Sequence, residues 1–204
     1  MPTRTILANV EVNSNVKKLR EVNLDQLVQS NGTVTPAQTA YVVATENGAG
    51  VVHQTTLTLA ALPQAIVNGT EYQGTKIYTF PEGRILVLGA VCTIAQTTTS
   101  VIASTLNASV TGALGFGTVT ASSTTLSTTM QDIIPTTAFT SSATINVAGT
   151  AVAAALAASA QFDGRTTPKD LYINTAFATT TDVDADATQT LTGTLLVTWI
   201  NLGD

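Results

Sequence analysis

The sequence predicts an all-β protein, a single β-sandwich of jelly-roll type with an N-terminal arm, on three observations. Threonine makes up roughly a fifth of the 204 residues, and with Val and Ile it far outweighs Leu, Glu, Lys and Arg, the usual helix formers. Apolar and polar residues alternate over short runs separated by Gly, Asn or Pro turn signals, the pattern of many short strands. Only 10% of the residues are charged, where an ordinary soluble domain has about a quarter.

Residues 1–34 read as an arm. Arg4, Glu11, Lys17, Lys18, Arg20, Glu21 and Asp25 gather there, before the Asn31-Gly32 turn signal. Leu19, Leu24, Leu27 and Val28 lie near helical spacing, so Val16 to Val28 has the pattern of a short amphipathic helix. The same stretch also reads as a first strand and turn of the domain that follows. Arg4, Lys17, Lys18 and Arg20 are the basic cluster available to an acidic partner, which makes them the candidate contact residues.

Residues 35–204 read as the sandwich domain. Tyr41-Val-Val-Ala-Thr45 leads through the turn Glu46-Asn-Gly-Ala-Gly50 into Val51–Ala60, where Thr55 to Leu59 alternate as a half-buried strand does. Asn68-Gly-Thr and Gln73-Gly read as the next bends. Alternation over Thr75–Phe80 puts Ile77 and Thr79 on one face and Tyr78 and Phe80 on the other. Pro81-Glu-Gly83 turns into Arg84-Ile-Leu-Val-Leu88, apolar on both faces. In the Thr- and Ser-rich middle third, Val101, Ile102, Leu106, Val110, Leu114, Phe116 and Val119 predict ordered strands, while Gly112-Ala-Leu-Gly-Phe-Gly117 reads as a flexible loop or bulge. Asp170–Phe177 and Thr190–Gly203 read as two long strands of a hairpin joined by an acidic loop. The expected core is Leu57, Leu59, Ile77, Ile85, Val87, Val91, Leu171, Ile173, Leu195, Val197 and Trp199, with the last three on one strand face.

Charge patterning narrows the function classes. No charged residue occurs between Arg84 and Asp132, and none again from Ile133 to Phe162. A surface so poor in charge is expected to be covered by other protein, which points to an assembly component and a homo-oligomer. A net charge of -5 and a pI near 4.6 argue against nucleic acid, whose phosphates demand clustered Lys and Arg. Ala151–Ala160 is about half the length that spans a bilayer. The N-terminus lacks the apolar run of a secretory signal, so synthesis in a cytosol is expected.

Motifs for chemistry are few. His53 is the single histidine, which excludes a multi-histidine metal site, and no Gly-x-Ser-x-Gly elbow, dinucleotide fingerprint or P-loop occurs. Cys92 reads as a buried reduced thiol in an apolar run. The glutamates are too scattered to nominate a glycosidase pair. Asp182-Val-Asp-Ala-Asp186 reads as a solvated tip or as a divalent site, but Ala187 and Gly193 stand where a calcium loop of the EF-hand type needs Gly and Glu. No enzyme activity, catalytic residue, cofactor or bound metal is expected.

Three phrases, Tyr41-Val-Val-Ala-Thr-Glu-Asn-Gly48, Thr75-Lys-Ile-Tyr-Thr-Phe-Pro-Glu-Gly-Arg-Ile-Leu-Val-Leu-Gly89 and Gly193-Thr-Leu-Leu-Val-Thr-Trp-Ile-Asn-Leu-Gly203, carry a resemblance. Over residues 35–204 the chain resembles the small Thr- and Ala-rich structural proteins of tailed-bacteriophage virions, particularly capsid decoration, or cement, proteins. That resemblance implies a trimeric β-sandwich on the capsid exterior, clamping neighbouring major capsid protein subunits and stabilising the head. It carries over no catalytic residue. The length of the arm leaves a second reading, a head-fibre or tail protein that binds a host surface receptor or glycan.

Overall fold

The computed structural model describes residues 31–47, 52–98, 111–140, 152–155, 160–177 and 186–203. They form two antiparallel sheets packed into a β-sandwich. The strands are β1 (Thr33–Val34), β2 (Val42–Asn47), β3 (Val52–Ile66), β4 (Tyr72–Thr79), β5 (Gly83–Thr98), β6 (Thr111–Gly117), β7 (Ile134–Thr140), β8 (Val152–Ala155), β9 (Ala160–Gly164), β10 (Asp170–Phe177) and β11 (Ala187–Asn201). One sheet has the order β1-β4-β10-β6-β7. The other has the order β2-β3-β11-β5-β8, with β9 also paired to β5. β8 and β9 pair with different stretches of β5, so together they make one edge.

The alternation expected along β3 and β11 sets the core. Leu57, Leu59, Leu62, Leu191, Leu195, Val197 and Trp199 point inward and meet Ile77, Phe80, Phe116, Leu171 and Ile173 from the facing sheet. Ten of the eleven expected core residues are buried. Val91 is the exception, 48% exposed. The cause is a β-bulge: Thr198 pairs with Gly89 and Trp199 with Val87, leaving Leu88 as an extra residue in β5. One extra residue reverses the side-chain parity. Beyond it Ala90, Cys92, Ile94 and Gln96 point inward, and Val91 and Thr93 point out.

A second bulge corrects the reading of β4. Leu171 pairs with Tyr78 and Tyr172 with Lys76, so Ile77 is the extra residue, and Ile77 and Tyr78 are both buried. Gln73–Gly74 lies within β4 rather than in a bend, whereas Asn68-Gly-Thr70 is a turn as expected. The expected C-terminal hairpin is not formed either. β10 is central in the five-stranded sheet and β11 central in the six-stranded one, so their link crosses the sandwich. Tyr41–Asn47 and the strand after it do pair, as β2 and β3. The stretch read as an arm ends inside the sandwich, since Thr33–Val34 pairs with β4; residues 1–30, including the Val16–Val28 segment, lie outside the described residues, as do Val101 to Val110.

Glycine is indispensable at Gly193. Its φ is +149°, and a Cβ there would sit 2.0 Å from the carbonyl oxygen of Thr93 on β5. The facing strand bulges at the same point, where Ala61 takes a left-handed φ of 54° and its N–H donates to Thr192 Oγ1 at 3.2 Å.

The interior is apolar at one end and polar at the other. At the first end the Trp199 indole stacks on His53, ring centroids 4.1 Å apart and 7° from parallel, and meets Phe80 edge-on. Its N–H donates to Thr55 Oγ1 at 2.8 Å, and Thr55 in turn donates to the Glu46 carboxylate. Tyr78 donates to the same carboxylate at 2.7 Å. Burial, with Glu46 alongside, holds the Tyr78 hydroxyl well above the usual phenol range. At the other end Gln64 donates to Thr75 Oγ1 and the Ile173 carbonyl and accepts from Thr175 Oγ1, while Gln189 donates to Gln96. These hydrogen bonds offset part of the cost of burying the amides.

Candidate functional site

The two outer faces of the sandwich differ. Residues 118–133, between β6 and β7, run across the outside of the five-stranded sheet and cover it. Asn174 on β10 pins them: its side-chain N–H groups donate to the carbonyls of Val119 (2.9 Å) and Met130 (2.8 Å), and its Oδ1 accepts from the Ala121 N–H (2.8 Å). Ala121, Leu126 and Met130 form a small second core there with Ala176. Glycines beneath make the approach possible. A Cβ on Gly74 would lie 2.2 Å from Thr120 Oγ1, and one on Gly117 would lie 2.3 Å from the Met130 backbone. The Gly112–Gly117 segment is therefore part of strand β6 rather than a loop, and the bulge also expected there falls between Leu114 and Phe116, where the pairing with β7 shifts register; Leu114 and Phe116 are buried inside, with glycine where the crossing chain needs room.

No described residue crosses the outside of the six-stranded sheet. Its outward side chains run in cross-strand rows: Val43, Thr58, Thr194 and Thr93; Thr45, Thr56, Leu196 and Val91; Val52, Ile200 and Leu86. Val43, Val52, Leu88 and Val91 are among the most exposed large apolar residues described. Between the strand ends this face carries no charged side chain on β2, β3, β11 or β5; Arg84 and Asp163 stand at one corner. Threonine and short aliphatic side chains can be covered without stripping water from a charge.

An open cleft of about 450 Å³ lies at the apolar end, lined by Thr118, Thr129, Asp132, Gln161, Asp163 and Lys169 over the edge of Phe162. Asp132 accepts from the Thr118 N–H and hydroxyl. Burial pushes its carboxyl above the usual carboxylate range despite those bonds. Asp163 is held well below that range by the Arg165 guanidinium, which donates to both its oxygens. None of the ten aromatic side chains is exposed; Tyr41, Tyr72 and Tyr172 are half-buried and the other seven buried. The cleft therefore offers polar groups without an aromatic platform.

Of the residues singled out from the sequence, Arg4, Lys17, Lys18, Arg20, Asp182 and Asp184 lie outside the described residues. Asp186 is described, and its Oδ1 accepts from the Asn68 N–H at 2.9 Å, tying the start of β11 to the β3–β4 turn. His53 and Cys92 are core residues. The bare face itself was not picked out in the sequence. The signal for it was present in the Thr-aliphatic alternation of β3 and β11, but alternation does not say which sheet the chain covers with its own loops.

Tight calcium binding by Asp182, Asp184 and Asp186 in the native state alone would add about 2.7 kcal/mol of stability at about 100 times the dissociation constant. The expected outcome is no calcium-dependent rise in melting temperature, for the parent or for the variant with all three changed to Asn. Asn at 186 keeps an oxygen for the Asn68 N–H. A calcium-dependent rise lost in the triple variant would make the loop a metal site.

No family model, curated protein or solved structure matches this chain.

Proposed function

We propose that the chain is a non-enzymatic virion structural protein, a capsid decoration protein that self-associates, binds the major capsid protein lattice from outside and stabilises the head. The observation that carries this reading is the outer face of the six-stranded sheet, which no described residue covers and which carries no charge between the strand ends. A shell under internal pressure gains stability from a self-associated layer laid over its subunit junctions, and such a face joins copies of the chain without desolvating charge. We also read the strand order as that of a jelly roll. β3-β11-β5-β8 and β4-β10-β6-β7 are the two four-stranded sheets that result when one long hairpin wraps round itself, with β2 and β1 added at the edges.

The alternative, a head-fibre or tail protein that binds a host receptor or glycan, would use the end cleft. It is the weaker reading because glycan sites favour exposed aromatic rings, and Phe162 is buried there.

Attachment is assigned to the basic cluster Arg4, Lys17, Lys18 and Arg20, set against an acidic partner surface. Deleting residues 1–30 should lower occupancy on particles while leaving the melting temperature of the sandwich unchanged. Mass spectrometry of purified particles is the broader test. Particles that lack the chain would sink the decoration reading, and full occupancy after deletion would remove the arm from it.

A further inference from the structure

We propose that the outer face of the six-stranded sheet binds a second copy of the same chain, face to face, through the rows centred on Thr58, Thr194 and Leu196. This deepens the assembly reading above and rests on it.

Four observations converge on a second copy as the occupant. The face is free of charge between the strand ends, and a patch that meets its own copy across a two-fold axis must not repel itself. A neutral face meets that condition, and it gives a charged partner nothing to steer by. Four of the seven exposed large aliphatic residues described, Val43, Val52, Leu88 and Val91, lie on it, and the other three, Val67, Val119 and Leu202, lie apart from it. Residues 118–133 cover the middle of the opposite face of the sandwich, so among the described residues this is the sheet face left open. Its size suffices: β2, β3, β11 and β5 span 6, 15, 15 and 16 residues, and at about 3.4 Å per residue and about 4.8 Å between strands they project roughly 850 Å². Two copies would bury about 1,700 Å², within the range of a specific interface. Two faces with the same twist also pack aligned, about 30° apart, as inner sheet faces do.

Such a contact joins copies in pairs. A trimer would have to rest on other surfaces of the chain.

The test is sedimentation equilibrium of the full chain at micromolar concentration, for the parent and for Thr194→Arg, Thr58→Arg and Val119→Arg. The parent should sediment at twice 21.0 kDa, and equally at about 0.1 M and about 1 M salt, because a neutral contact is not screened. Thr194→Arg and Thr58→Arg each bury a cation against its own copy, and should raise the dissociation constant about 100-fold or more. Val119→Arg lies on the covering segment, and should leave the pair intact. A cooperative melt of the monomeric variants, independent of protein concentration and followed through Trp199 fluorescence, shows that they are folded. A parent assembly that both face variants leave untouched would overturn this contact and spare the assembly reading. A parent that stays monomeric throughout would overturn the contact and remove self-association from that reading, leaving capsid binding to the particle experiment.

Discussion

Trp199→Ala should destabilise the fold by about 3–5 kcal/mol, the range for truncating a fully buried large aromatic side chain. In a chain of this length that lowers the melting temperature by roughly 10 °C, at a few degrees per kcal/mol. Three losses contribute. A cavity opens between Phe80 on one side and His53 on the other. The His53 ring loses its stacking partner at 4.1 Å. The Thr55 hydroxyl loses the indole N–H it accepts, although it keeps Glu46 as its own acceptor. Trp199→Phe separates these losses, because it keeps most of the volume and removes the N–H, and should cost less than half as much. Chemical denaturation monitored by circular dichroism reads both variants. An alanine variant within about 1 kcal/mol of the parent would mean that the indole is not packed as described.

Asn174→Ala should cost about 3 kcal/mol or more, and its effect should be local. It leaves the Val119 and Met130 carbonyls and the Ala121 N–H without their partner at a buried site, and each such group costs about 1–3 kcal/mol, less where water can enter. Amide hydrogen exchange should quicken at Ala121 and through the segment packed on Asn174, while β3 and β11 stay protected. Asn174→Asp is the sharper variant. It keeps an acceptor for Ala121 but sets a carboxylate against two carbonyl oxygens, so it should be worse than alanine at neutral pH and recover as the acid is protonated. Uniform exchange across the molecule in either variant would show that the segment is not a separately held layer.

The sequence showed the sandwich because alternation with period two is a local property. Thr55, Leu57 and Leu59, or Leu195, Val197 and Trp199, announce their buried face without knowledge of the partner strand. Two kinds of information are not local. The bulges at Leu88 and Ile77 arise from pairing against β11 and β10, and each reverses parity partway along its strand, in β5 within a run that is apolar on both sides. Val91 and Cys92 were equally good inward candidates until that register was known. Strand order is the other kind: Asp170–Phe177 and Thr190–Gly203 look like a hairpin because they are neighbours in sequence, but each is flanked by two strands of a different sheet. The glycines of β6 misled for a related reason. Glycine in a run suggests a loop, and only the segment crossing above Gly115 and Gly117 explains why they belong in a strand. The bare face was partly legible as missing charge, and became a defined surface once the covered face was known.

The layer held by Asn174 also fixes how many sheet faces the molecule can offer to others. A sandwich uncovered on both sides would have a valency of two, and copies stacking through equivalent faces could add without limit, as an open rod. Because residues 118–133 occupy one side permanently, the valency through sheet faces is one. Association by that route terminates at its first step, and every further neighbour must be met through edges, ends or the N-terminal segment. On the proposed self-association, that stop would limit assembly through sheet faces to pairs rather than rods.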